Sequence, residues 1–164
     1  YGNWRLGAGL FDGNLRSTAP DTAGYSLSLG WEGDRHYFGL GYLSDQYAAD
    51  PAPSMLDLAF GWHGERLVAG VELTGAARTR AGERPQALHA ELGWEALPDW
   101  QLGLRYQATS RFSVLDGGNG RFREWAVGTN RAFNEHIGVG MEYAIGREGG
   151  VRQHAALARL TVTF

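Results

Sequence analysis

The fold of this chain is constrained most by an alternation of apolar residues with polar or small ones, which is most regular between His154 and Phe164. A period of two places successive side chains on opposite faces of a β-strand, so the segment predicts a strand with one apolar face. The alternation ends on the aromatic ring of Phe164, which is typical of a strand that ends in the aromatic belt of a membrane–water interface. The apolar series is Ala156, Ala158, Leu160, Val162 and Phe164.

The same alternation recurs in ten segments, which turn-forming residues separate from one another. The sequence therefore predicts an all-β fold, a transmembrane antiparallel up-and-down β-barrel of about ten strands. Short turns on one rim and longer loops on the other place both termini on the short-turn, periplasmic side. The short turns are expected near residues 33, 64, 98 and 134, and the longer loops near 12–21, 45–54, 79–86, 111–121 and 147–151.

Aromatic residues cluster beside the predicted short turns, where a transmembrane barrel carries an interfacial girdle. A sparser second group, Tyr25, Tyr42, Tyr106 and Trp125, falls near the longer loops. Between the two groups the apolar face is mostly Leu, Val, Ala and Ile. The predicted aromatic girdle consists of Trp31, Trp62, Trp94, Trp100, Phe133 and Phe164.

The opposite face of the strands carries glycines and mid-strand charges, which the barrel interpretation turns towards the lumen. A water-soluble barrel with an apolar interior is the alternative. It is disfavoured because the tryptophans lie at strand ends and the apolar side chains would overfill a ten-stranded interior. The predicted lumen-lining residues are Asp57, Glu72, Glu91, Arg105, Glu124, Glu142 and Arg159.

Composition limits the other classes of protein. A length of 164 residues suits one domain, residues 1–164, and a formal net charge of -3 gives no basic field for nucleic acid. The chain has no cysteine and no apolar run of about 18 residues, so a disulfide, a thiolate metal site and a transmembrane helix are not expected. A mean hydropathy of -0.33 suits a barrel, because alternating strands average to a polar composition.

The segment from Leu160 to Phe164 is similar to the C-terminal assembly signal of Gram-negative porins. Among porins, the second half of the chain most resembles the siderophore-porin, legiobactin-receptor-like family. The resemblance implies a bacterial outer-membrane barrel that the barrel-assembly machinery recognises through its C-terminal strand. Members of that family are longer, so residues 1–164 are either a smaller barrel or the C-terminal part of a larger porin. The segments that carry the resemblance are Pro85–Trp94, Trp100–Tyr106 and Gly138–Tyr143.

The charged lumen leads to two hypotheses about function. The first is a porin-like channel for passive or siderophore-type passage of solutes. The second is a closed structural or partner-binding barrel, in which Arg105 and Arg159 pair with the surrounding glutamates because buried charges persist only when paired. In both, the partners are membrane lipid, lipopolysaccharide and the assembly machinery, and the oligomeric state is left open.

An enzyme is not expected, and an outer-membrane hydrolase is kept as a minor alternative. A hydrolase needs a nucleophile or an activated water beside a base. His89 and His154 are predicted to point inward or to lie near the rim, with Ser110, Ser113 or Glu91 as candidate partners. His89 and Glu91 share one strand face, but two ligands are too few for a metal site, so no metal and no cofactor are expected. The remaining histidines are His36, predicted to face lipid, and His63 and His136 at short turns.

Overall fold

The structure, a computed structural model, describes residues 2–12, 23–45, 54–78, 86–110, 121–134 and 136–162. These residues form ten β-strands, and within these ranges there is no helix long and apolar enough to cross a membrane. The strands are β1 (Asn3–Asp12), β2 (Ala23–Glu32), β3 (His36–Asp45), β4 (Ser54–His63), β5 (Leu67–Arg78), β6 (Gln86–Leu97), β7 (Trp100–Ser110), β8 (Phe122–Ala132), β9 (Ile137–Glu148) and β10 (Val151–Val162).

All ten strands belong to one antiparallel sheet, in which each strand pairs with its neighbours in the sequence. The prediction of ten up-and-down strands is therefore confirmed. The sheet is not closed into a barrel, because the described residues of β1 and β10 neither pair nor contact each other. Both edges stay unpaired within the described residues, and every residue of β10 is exposed.

The connection between β9 and β10 differs from the prediction. A longer loop was expected over residues 147–151, but the strands extend to Glu148 and start again at Val151. Gly149 and Gly150 form a two-residue turn with φ values of 56° and 92°. Glycine adopts positive φ without steric cost, and two such residues in succession suit the tight turns that match the twist of a hairpin.

The register continues both faces from strand to strand, so the alternation of the sequence becomes two surfaces of opposite character. The surface that carries the seven residues predicted to line a lumen is called the inner face, and the apolar surface is called the outer face. On the outer face the register joins six leucines of successive strands into one row. The row consists of Leu6, Leu29, Leu40, Leu58, Leu73 and Leu88.

This arrangement leaves the described residues without a conventional hydrophobic core. Ala126 and Ala144 are the only buried apolar residues among them, at 3% and 5% exposure, and both lie on the inner face. The large side chains of the outer face, Phe60 and Leu73 among them, are exposed. Main-chain ladders between strands therefore hold the sheet together, and its apolar surface is uncovered.

One inner-face aromatic contact joins three strands. Tyr37 of β3 lies across its register partner Gly61 of β4, and its hydroxyl group reaches the position where a Cβ on Gly70 of β5 would be. The ring needs both glycines, because a side chain on Gly61 would occupy the space of the ring itself. Close packing between neighbouring strands here depends on small residues opposite a large one.

We expect Gly61→Ala to destabilise the protein by about 1–3 kcal/mol, since the new methyl group forces the Tyr37 ring out of its position. Urea-induced unfolding followed by tryptophan fluorescence would measure the change. Gly75→Ala is the matched control, because nothing lies within 4 Å of the position of its new Cβ. An equal loss of stability in both variants would contradict the packing role of Tyr37.

Candidate functional site

The inner face carries a half-open groove of about 550 Å³ that extends from the β4–β5 turn to β10. Its floor is built from small residues, because Gly93, Gly103 and Gly128 are register partners on three successive strands. Four of the seven predicted lumen-lining residues stand around this floor. They are Glu91, Arg105, Glu142 and Arg159.

Arg105 forms the main ion-pair network of the groove. Its Nη2 donates to Glu142 Oε1 at 2.6 Å and to Glu124 Oε1 at 3.4 Å. The side chains of Arg105, Glu124 and Glu142 are 33%, 21% and 37% exposed, so water screens the three charges only in part. Nε of Arg105 is buried without a hydrogen-bond partner among the described residues. The network ties β7 to β8 and β9.

Small residues on β8 and β9 allow the guanidinium group to reach this far. Ala126 of β8 is the register partner of Arg105, and Ala144 of β9 is the partner of Ala126. Both alanines are buried in the part of the inner face that Arg105 crosses to reach Glu142. A larger residue at position 126 would stand in the path of the arginine.

The other predicted lumen-lining residues lie on the inner face but outside this network. Asp57 accepts a hydrogen bond of 2.8 Å from the Thr74 hydroxyl group. Glu91 is the register partner of Arg105, yet the guanidinium group points to the carboxylates of β8 and β9 instead. Glu72, Glu91 and Arg159 make no ion pair with any described residue. The pairing of Arg159 with a glutamate was expected for a closed barrel, and in this open sheet it stays a prediction. Arg159 lies on β10, an edge strand that has a described strand, β9, on one side only.

The histidines do not assemble a catalytic site in the described part of the chain. His89 lies on the inner face with Nε2 buried and unpartnered, between its register partners Glu72 and Gln107. Ser110 lies on the outer face, and Ser113 is outside the described residues. No group of three or more histidine, aspartate or glutamate residues that could hold a metal ion occurs among the residues that the structure describes.

His154 was predicted to point inward or to lie near the rim, and of these the inward orientation is wrong. Its register partner is Ile145, which places it on the outer face in the same series as Ala156. Its Nδ1 shares a hydrogen bond of 2.7 Å with the hydroxyl group of Tyr143. The parity of β10 decides this orientation, because residues separated by two positions lie on the same side of a strand.

Five of the six residues of the predicted aromatic girdle lie beside the short connections, and the sixth, Phe164, is outside the described residues. The rings of Trp31 and Trp62 pack against the turn glycines Gly33 and Gly64, where an added Cβ would meet each indole. The four described tryptophans of the girdle share the outer face by register, and Phe133 lies in the β8–β9 connection. The described members of the girdle are Trp31, Trp62, Trp94, Trp100 and Phe133.

Two features of this rim were missed by the sequence interpretation. Arg131 places its guanidinium carbon 5.6 Å from the ring centre of Trp100 and 5.2 Å from that of Phe133, within the range of cation–π attraction. Trp100 Nε1 also donates to the Thr129 hydroxyl group at 2.5 Å. The two contacts of Trp100 cross from β7 to β8, and the register between these strands cannot be counted through the long connection that joins them. Alternation alone gives no signal for them.

No protein-family model and no curated protein matches this chain. The features that bear on its function are therefore the two faces of the sheet and the residues on them.

Replacing Arg105 tests whether the inner-face network contributes to stability. We expect Arg105→Gln to lower the free energy of unfolding by about 1–2 kcal/mol, less than for a fully buried pair, since the three side chains are partly exposed. Glu142→Gln in the same chain should restore part of the loss by removing one unpaired carboxylate. Urea titration of both variants and of the double variant gives the coupling energy.

Arg159→Gln is the matched control, because it removes the same charge from the same face without breaking an ion pair among the described residues. A coupling energy of zero between positions 105 and 142 would contradict the structural role of the network.

Proposed function

We propose that this chain forms the wall of a porin-like β-barrel in a bacterial outer membrane, with its outer face in lipid and its inner face lining a polar passage. The observation that carries the proposal is the uncovered outer face, on which large apolar side chains of all ten strands are exposed. An exposed apolar patch of this extent is unusual for a soluble monomer and marks a surface that another apolar phase covers. Lipid would cover the apolar side chains of all ten strands equally, which a single partner element would not.

The dimensions of the strands support lipid as the cover. Each strand has 10 to 12 residues, which is the length of a tilted transmembrane strand. Aromatic residues lie at both ends of the outer face, and the tilted rings of Tyr106 and Trp125 pack at a centroid distance of 4.5 Å near the rim opposite the girdle. Amphipathic rings at both ends of an apolar band are typical of a protein that crosses both membrane interfaces.

A membrane requires the two open edges to be paired, because unpaired backbone groups are not tolerated in hydrocarbon. The faces of β1 and β10 are in phase for mutual pairing. A row of register partners leads from Trp4, near the short-turn end of β1, to His154, near the other end of β10. Measured from the short turns, this row shifts towards the opposite rim by about eleven residues over ten strands. A stagger of this size suits the strand tilt of a barrel.

In a closed barrel, β1 would pair with β10 in a closing ladder. Only an even number of residues of stagger keeps the inner and outer faces continuous across that ladder. An offset of about ten or twelve residues brings Leu10 of β1 opposite Ala158 or Leu160 of β10. All three residues lie on the outer face. Closure of β1 on β10 is therefore compatible with both faces.

The inner face supports a passage for small polar solutes with a preference for cations. Its predicted lining has five carboxylates and two arginines, and Arg105 is already engaged by two of the carboxylates. Glu72 and Glu91 make no ion pair with a described residue and are free to attract cations. Rings of acidic side chains favour cations in other pores. Siderophore-type passage rests on the resemblance to siderophore porins alone.

A second candidate, a closed structural barrel with a salt-bridged lumen, is favoured by one observation. Arg105 reaches from β7 to Glu142 on β9 across the inner face, and such a crossing narrows the space inside a ten-stranded wall. Small barrels are usually filled by their own side chains. The two candidates differ in whether ions pass.

Planar-bilayer recording separates them. Protein that migrates heat-modifiably in detergent, and is therefore folded, should give stepwise ion currents whose reversal potential in a salt gradient favours cations. Glu91→Gln should reduce that preference, since it removes an unpaired inner-face carboxylate, whereas Asp34→Asn, in the β2–β3 turn, should not. Folded protein that gives no current would contradict the channel and leave the closed barrel.

The closing ladder can be tested in the natural background, since the chain has no cysteine. Leu10→Cys combined with Ala158→Cys or Leu160→Cys should form an intramolecular disulfide in the detergent-folded monomer. Non-reducing electrophoresis would detect it by its shifted migration. Arg159→Cys with Leu10→Cys is the control, because position 159 lies on the opposite face of the same strand.

Intramolecular bonds at Ala158 or Leu160 but not at Arg159 would identify a closed ten-stranded wall. Absence of an intramolecular bond at both positions would contradict closure of β1 on β10 and would favour pairing of each edge with strands outside the ten described here.

A further inference from the structure

The outer face carries three arginines that stand side by side at one rim. Arg123 of β8 is the register partner of Arg147 of β9, and Arg147 is also the partner of Arg152 of β10. Directly opposed residues in an antiparallel sheet have Cβ atoms about 4.5–5.5 Å apart, so three positive charges follow one another across adjacent strands. All three arginines are exposed. They are called the arginine row.

Nothing in the described part of the chain neutralises the arginine row. None of its members forms an ion pair or a side-chain hydrogen bond with a described residue. The nearest carboxylates along the strands face the other way, since Glu124 binds Arg105 on the inner face and Glu148 accepts a hydrogen bond from Gln153. Like charges directly opposite each other destabilise a sheet. An anion outside the described residues would remove this repulsion.

The row lies at the border of the apolar band. One step further along the same strands, the outer face carries Trp125, Ile145 and His154 as mutual register partners. Tyr106 packs in a tilted arrangement against Trp125, and Tyr143 bonds to His154, so a layer with aromatic rings on both sides of Ile145 lies next to the arginines. Charged groups above an aromatic layer match the order of headgroup and interface in a lipid leaflet.

The opposite rim of the outer face is different. On β8 the arginine at that end is Arg131, whose guanidinium group lies over the rings of Trp100 and Phe133. It stands beside aromatic partners of its own chain, and its register partners are Trp100 and Val139 instead of further arginines. A cluster of outward arginines on adjacent strands therefore marks one rim within the described residues.

We propose that the arginine row binds the phosphate of an anionic lipid headgroup while the acyl chains of that lipid lie along the outer face of β8 to β10. Guanidinium groups are suited to this role because their planar donors bind phosphate oxygens in pairs and keep their charge at any physiological pH. A lipid fits better than a soluble anion, since the row is continuous with an apolar surface. The inference depends on the proposed function, which places that surface in a membrane.

Native mass spectrometry of the detergent-folded protein tests the row. Phosphatidylglycerol and phosphatidylcholine of identical acyl chains are titrated separately, and the fraction of protein that carries one lipid gives each dissociation constant. We expect phosphatidylglycerol to bind about tenfold more tightly, since its phosphate carries a net negative charge, whereas the choline cation of phosphatidylcholine offsets that charge and repels the arginines. Replacing all three arginines, Arg123→Gln, Arg147→Gln and Arg152→Gln, should abolish this difference.

The matched control is Arg159→Gln, which removes an arginine of β10 from the inner face and should keep the tenfold preference. If the triple variant loses heat-modifiable migration, Arg147→Gln alone decides the result, because position 147 stands between the other two. That single variant should lower the preference severalfold. A preference that is unchanged in the deciding variant would overturn the inference.

Two further measurements identify the source of a failure. Insertion into phosphatidylcholine vesicles, followed by protection of the strands from protease, tests the membrane proposal alone. Failure to insert would overturn both proposals, whereas insertion with equal affinity for the two lipids would overturn only the arginine row. Displacement of phosphatidylglycerol by an equal concentration of glycerol phosphate would also overturn it, because a soluble anion would then suffice.

Discussion

Main-chain hydrogen bonding between neighbouring strands is the interaction on which this structure depends. The sheet is built from adjacent ladders alone, and the described residues bury only two apolar side chains. A soluble protein gains most of its stability by burying apolar surface, and this chain leaves its apolar surface outside. A fold of this kind is self-consistent where the surroundings are apolar, since backbone bonds then have no competition from water and the outer face has no need of a partner element.

The inner face follows from the same arrangement. Because bulky apolar residues point outward, the inner positions are free for glycine and alanine, and these small residues let a few long polar side chains extend across several strands. Tyr37 covers Gly61, and Arg105 passes over Ala126 to reach Glu142. Such crossings join strands that are not adjacent and so add stiffness that the ladders lack. They also set how much of the groove stays open to solvent and solute.

The alternation predicted the strands well, because a period of two is set by the backbone and is independent of distant contacts. It placed ten strands in order and assigned each inner-face charge to the surface on which the structure has it. It failed where a turn was misjudged. Gly149 and Gly150 are a two-residue hairpin signal, and treating them as part of a longer loop left Arg147 and Arg152 outside any strand. The alignment of Arg147 and Arg152 with Arg123 could therefore not be predicted.

Other features were beyond the reach of the pattern for a physical reason. Which residues of β7 and β8 face each other depends on the register across a long connection, and the sequence of one strand carries no information about it. The contact of Arg131 with Trp100 and the choice of Arg105 between Glu91 and the two more distant glutamates both depend on that register. The open edges are a related case, since the pairing of β1 and β10 depends on the stagger accumulated over all ten strands.

β10 is the element in which these constraints meet. Its outer face carries Arg152 of the arginine row, its inner face carries Arg159, and its free edge is the one that a membrane would require to be paired. Pairing that edge would place a further strand beside both arginines. The charge of Arg159 would then be closer to inner-face groups of the new neighbour, and the arginine row would be bounded on its open side. The surroundings of both charged surfaces therefore depend on the strand that lies next to β10.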